Sequence, residues 1–121
     1  MPWVYQQSTG ELTYGGAIVG RGYSGRGECK NNSAKQSVPM EGPIPCGTYT
    51  IGDVFDSESH GPVAMRLTPD PSNEMFGRSG FLIHGDSVKA PGTASEGCII
   101  MSRPVRLAVA ASPERVLQVI A

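Results

Sequence analysis

A chain of 121 residues is the length of one domain, and its ten Lys plus Arg against eleven Asp plus Glu leave a formal net charge of −1 and a pI near 6.1. With no cluster of Lys or Arg it lacks the electrostatic footprint for a phosphate backbone, so no nucleic-acid partner is expected. No apolar run approaches the roughly 20 residues that cross a bilayer, and Met1-Pro2-Trp3-Val4-Tyr5-Gln6-Gln7 has neither the basic nor the apolar segment of a signal peptide. A soluble domain with no membrane span and no such export signal is the expectation.

Turn formers are abundant, 16 Gly and 10 Pro, and Val plus Ile outnumber Leu 17 to 5. Side chains branched at Cβ lose less freedom on a pleated sheet than against a helical turn, so the composition predicts one mainly β domain, residues 1–121, built of many short elements. Trp3 to Gln7 and Glu11 to Tyr14 are separated by Ser8-Thr9-Gly10, which predicts a hairpin with Gly10 at positive φ. A second turn at Gly15-Gly16 leads into a third strand over Ala17 to Tyr23, completing a meander. Ser24 to Gly42 offers almost nothing to bury and reads as an exposed loop.

The turn Gly42-Pro43-Ile44-Pro45-Cys46-Gly47 feeds a strand with Tyr49 and Ile51 on one face and Thr48 and Thr50 on the other. Val63 to Leu67 and Gly80 to His84 read as further strands, and the unbroken apolar run Phe81-Leu82-Ile83 predicts cover on both faces. Gly85 to Ala94 has turn composition, after which Cys98-Ile99-Ile100-Met101 is apolar again. Ser102 is predicted to cap a short helix with Pro104 in its first turn and Val105, Ala108 and Val109 facing inward, ended by Ser112-Pro113. Arg115 to Ile120 is the predicted closing strand.

Three cysteines, Cys29, Cys46 and Cys98, are an odd number with no C-x-x-C pair, so neither a disulfide framework nor a zinc knuckle is written in the chain. Cys29 and Cys46 read as incidental thiols, or as a pair under oxidising conditions. His84, His60, Cys98 and Cys46 lack the ligand spacing of a zinc site, and His60 reads as a loop residue, so no metal or other cofactor is expected.

Cys98 stands apart because a single loop separates it from His84. A thiol attacks as thiolate, and a neighbouring imidazole is the usual means of producing one. Gly97 lets the backbone bend closely around a substrate carbonyl, so amides near Gly97 and Cys98 suit an oxyanion hole. A free cysteine beside Ile99-Ile100 equally suits a core thiol with no chemistry, and spacing alone leaves both readings open.

Ile83-His84-Gly85-Asp86 followed by Ala94-Ser95-Glu96-Gly97-Cys98-Ile99-Ile100-Met101 resembles the active-site signature of the L,D-transpeptidase (YkuD-like) catalytic domain. Gly42 to Thr48-Tyr49 resembles that family's turn of Pro, Gly and an aromatic entering a strand. Tyr5 to Gly10, Gly22-Tyr23-Ser24-Gly25, Gly42 to Gly52, Met65 to Pro69, Phe76 to His84 and Ala94 to Ile100 together resemble the L,D-transpeptidase effectors delivered by type VI secretion.

The resemblance implies a compact β-sandwich or barrel with one short C-terminal helix and a cysteine enzyme of bacterial peptidoglycan, with Cys98 as nucleophile and His84 as its base. It implies attack on the peptide bond after the L-centre of meso-diaminopimelate in a tetrapeptide stem, loss of D-alanine and a thioester on the cysteine. Water then gives a tripeptide and a D-amino acid gives an exchanged stem. Ser95 and Gly97 match positions supporting the turn and oxyanion hole, and His84 is oriented either by the Gly85 carbonyl or by the Asp86 side chain. Stem peptides are the implied partners, with a cognate immunity protein and delivery into a target periplasm expected of a type VI antibacterial toxin.

Two positions depart from the wider family. Glu96 replaces a His, and a carboxylate near the sulfur raises the thiol pKa unless the chain bends at Gly97. Ile100 replaces an Arg, which shifts the expected binding of a substrate carboxylate to Arg78, Arg103 or Arg106. The alternatives are another cell-wall cysteine amidase or endopeptidase, disfavoured in its papain-like form because His84 precedes Cys98, and a non-catalytic peptidoglycan-binding β module.

Overall fold

A computed structural model describes residues 1–121. Nine strands form one mixed sheet: β1 (Trp3–Gln6), β2 (Glu11–Tyr14), β3 (Ala17–Arg21), β4 (Tyr23–Ser24), β5 (Gly47–Ser57), β6 (Gly61–Pro69), β7 (Leu82–His84), β8 (Ile99–Ile100) and β9 (Val116–Ile120). The spatial order is β3-β2-β1-β9-β5-β6-β7-β8-β4. Its two outermost strands, β3 and β4, are consecutive in the chain and separated by Gly22 alone, so the sheet curls into a nearly closed barrel. A Cβ on Gly22 would collide with the Ile100 carbonyl, so only glycine passes that seam.

The predicted meander is present, with Gly10 at φ +73° in its first turn. The third predicted strand, however, divides at Gly22, and its two parts pair at opposite ends of the sheet. The closing strand lies mid-sheet, parallel to β1 and antiparallel to β5.

Period-two alternation aims one side chain in two at the core. Trp3 and Tyr5, Tyr49 and Ile51, Met65 and Leu67, and Leu117 and Val119 are buried at i, i+2 spacing. Each large apolar side chain so covered contributes about 1.5–3 kcal/mol. Leu82 and Ile83 are buried on opposite faces of β7, as the apolar run predicts.

The helix α1 (Arg103–Ala111) covers this core with Val109, while Val105 and Ala110 pack at its margin. Ala108, expected inward, is exposed because the buried stripe passes one residue further along. Ser102 occupies the N-cap position, but its side chain makes no capping bond; its carbonyl accepts from the Arg106 amide at 3.0 Å.

Ser24 to Gly42 is more ordered than its composition predicts. It contains two short 3-10 turns, Gly27–Cys29 and Ser33–Lys35, and buries Ser24, Cys29 and Gly42. The segment is held by polar bonds rather than apolar side chains: Ser24 Oγ accepts from the Ile44 amide and donates to the Gly97 carbonyl, both at 2.8 Å. All three thiols are free.

Candidate active site

The site is built where β7 and β8 run parallel, Ile83 opposite Ile99 and His84 opposite Ile100. Ile83 and Ile99 enter the main core. By alternation His84 and Cys98, one residue before β8, share the opposite face as diagonal neighbours. Both line a cleft of about 390 Å³ whose other walls include Met40, Phe76, Arg78, Phe81, Glu96 and His60.

His84 is 1 % exposed. Its Nδ1 lies 2.7 Å from the Gly85 carbonyl, which only accepts, so Nδ1 carries the proton and Nε2 is left as the basic nitrogen. Nε2 is buried with no hydrogen-bond partner in the protein. Of the two groups expected to orient the ring, the Gly85 carbonyl does so. Asp86 points elsewhere: Tyr23 donates to it at 2.5 Å, and the Ser87 and Gly92 amides add bonds of 2.8 and 3.1 Å. Asp86 therefore anchors the loop after β7, and partial burial, which alone would raise its pKa, is outweighed by these bonds, which lower it. Tyr23, pushed up to about 12 by burial and by Asp86, keeps its proton and also accepts from the Ala94 amide.

Burial holds the His84 pKa below its ordinary 6.5, with His60 and Arg106 acting the same way against the opposing Gly85 bond and Asp86 charge. Cys98 Sγ accepts a hydrogen bond from the Leu82 amide at 3.3 Å. Burial nevertheless raises the thiol above its ordinary 9.0, Glu96 adds to the rise, and the Leu82 bond and Arg78 oppose it. The resting pair is a neutral thiol beside a neutral imidazole.

Gly97, at φ +136°, supplies the bend before the cysteine; a Cβ there would sit 2.6 Å from both the Arg78 guanidinium and the Phe81 ring. Ser95 Oγ organises this turn, accepting from the Gly25 and Gly97 amides at 2.8 and 3.1 Å and donating to the Cys98 carbonyl at 2.6 Å. The Gly97 amide is thus engaged, whereas no hydrogen bond within the protein engages the Cys98 amide.

Of the three arginines expected at a substrate carboxylate, only Arg78 lines the cleft. Its terminal nitrogens donate to four carbonyls, those of Gln36, Pro43, Gly42 and Glu96, at 2.5–3.2 Å. Arg106 donates from α1 to the Met101, Pro62 and Val63 carbonyls. Arg103 is exposed in the first turn of α1. A Cβ on Gly85 would lie 2.8 Å from the Arg106 guanidinium, so glycine leaves that side chain its path.

His60 is exposed in the β5–β6 turn, as a loop residue, but it is not incidental: its ring stacks on His84 with centroids 4.2 Å apart and planes at 23°. Arg106 fastens the root of this turn by holding Pro62 and Val63, the latter at φ +61°. Nothing in the sequence near His60 signals this contact, because it is made by a hairpin folding back over a strand 24 residues further on.

A mainly β domain with a thiol and an oriented imidazole in one cleft is the class of protein defined by this fold and site. A family model described as the Tlde1 domain matches residues 19–119, and the chain belongs to that family, the type VI secretion L,D-transpeptidase effectors, whose theme is peptidoglycan-related activity. No curated protein matches the chain.

Proposed function

We propose that the protein is a cysteine L,D-carboxypeptidase and L,D-transpeptidase acting on tetrapeptide stems of peptidoglycan in a target periplasm. The observation that supports this reading is that Cys98 and His84, whose Nε2 has no hydrogen-bond partner, line one cleft from the same face of adjacent strands. Family membership supplies the chemical setting.

Bound substrate displaces water from the cleft, and the Cys98 proton passes to His84 Nε2 as Sγ attacks the carbonyl of the diamino acid. The Cys98 amide is the donor available to the oxyanion. When the tetrahedral intermediate collapses, the C–N bond breaks, the imidazolium returns the proton to the leaving D-alanine nitrogen, and a thioester remains. Water or the amine of a D-amino acid then resolves the thioester, with His84 again taking a proton. Gly85 holds the imidazole, Ser95 and Gly97 hold the turn, and Asp86 holds the loop between the two reacting groups.

Incubation with tetrapeptide muropeptides followed by mass spectrometry tests this. Release of D-alanine, and exchange when a D-amino acid is added, are expected from the wild type and not from Cys98→Ala. The partial burial of Cys98 favours a second reading, a non-catalytic wall-binding module. A thiol that iodoacetamide reaches only after unfolding, with no release of D-alanine, supports that alternative.

A further inference from the structure

The only acidic side chain lining the main cleft is Glu96, and it is uncommitted. It is exposed, takes part in no ion pair and accepts no hydrogen bond through its carboxylate. Arg78, in the same wall, makes no hydrogen bond or ion pair with that carboxylate: both its terminal nitrogens donate to backbone carbonyls, one of them that of Glu96 itself. Asp86, in the adjoining smaller cleft, is already saturated by Tyr23, Ser87 and Gly92. The one charged group in the cleft with its hydrogen-bonding capacity still free is therefore a carboxylate, two residues from the nucleophile.

That charge has a cost, since it raises the thiol and so opposes formation of a thiolate. A bound cation would remove the cost. Resting on the function proposed above, we propose that Glu96 is a specificity-determining residue that binds a primary ammonium of the substrate, the free amine at the end of the side chain whose residue supplies the attacked carbonyl. The ligand class is a stem peptide whose diamino acid is not acylated at that amine. An amine consumed in a cross-link is an amide without charge, so the enzyme would select stems that are not cross-linked at that position. The neighbouring walls, Met40, Phe76 and Phe81, suit the methylenes between the two ends of such a side chain.

Binding is measured without turnover by titrating the Cys98→Ala protein with a tetrapeptide stem, with the same stem acetylated at its side-chain amine, and with a free D-amino acid. Acetylation is expected to weaken binding about fivefold, the upper range for a charge pair at an exposed site. In Glu96→Gln/Cys98→Ala the two stems should bind alike. Equal binding of both stems to Cys98→Ala, or binding of neither, overturns the proposal, as does a preference that survives Glu96→Gln. Loss on Glu96→Gln of affinity for the free D-amino acid alone would assign the ammonium to the acyl acceptor and also overturn it. Discrimination between the stems without release of D-alanine by the wild type would leave the role of Glu96 standing and overturn the catalytic reading instead.

Discussion

The imidazoles of His60 and His84 stack with centroids 4.2 Å apart, so the ring whose buried Nε2 has no partner is covered by a second titratable ring carried on a different hairpin. Around His84 stand His60 from the β5–β6 turn, Arg106 from α1, Asp86 from the following loop and the Gly85 carbonyl. Burial and two of these cations or potential cations depress its pKa. His60→Ala removes both cover and repulsion, so the His84 pKa is expected to rise toward 6.5. On the proposed mechanism, the acidic limb of kcat/KM should move to higher pH with it, because the proposed base must be neutral to accept a proton. His60→Phe keeps the cover and should shift the pKa less, which two-dimensional NMR of the imidazole resonances measures directly.

The same depression links pH to stability. His84 binds a proton more readily unfolded than folded, so folding is favoured most above about pH 6.5 and is progressively lost as pH falls from there to the lower folded value. Urea unfolding between pH 7.5 and 5 should show this loss, and His60→Ala should reduce it.

Glu96→Gln removes a charge that raises the Cys98 thiol. The pH profile of iodoacetamide alkylation should therefore move to lower pH, with a faster rate at pH 8 than the wild type. An unchanged profile would place the carboxylate too far from the sulfur to matter.

Arg78 holds the Gln36–Pro43 segment against the Glu96 carbonyl through four bonds from one buried guanidinium. Arg78→Met leaves the buried Gly42 and Pro43 carbonyls without donors, and a loss of about 3 kcal/mol or more is expected on denaturant unfolding. Arg78→Lys keeps the charge but not the planar fan of donors and should recover only part of it.

Ser95→Ala deprives the buried Gly25 and Gly97 amides of their common acceptor. A destabilisation of about 1–3 kcal/mol is expected. On the proposed mechanism, release of D-alanine should fall as well, since the same hydroxyl fixes the Cys98 carbonyl.

Much of the fold is legible in the chain because alternation is local: Tyr49 and Ile51, or Leu117 and Val119, announce their buried face without reference to any partner. That His84 and Cys98 come to one cleft is foreshadowed because a single loop joins the two apolar runs that carry them, while their spacing alone leaves a core thiol equally open. What stays hidden is held by polar bonds across long separations. Ser24 reaches Gly97, Arg78 reaches Gly42, and His60 reaches His84, none with any periodic signal. The choice between Gly85 and Asp86 as the orienting group is likewise set by the folded chain, since adjacent residues offer the same acceptor chemistry and differ only in direction.

The proposed mechanism requires a thioester between Cys98 and the stem. Intact-protein mass spectrometry of the enzyme quenched during turnover of a tetrapeptide stem tests it most directly. An added mass equal to the tripeptidyl group is expected, mapped to the peptide containing Cys98, released by hydroxylamine and absent from Cys98→Ala. D-Alanine released by Cys98→Ala at the wild-type rate, with no adduct on either protein, would contradict it.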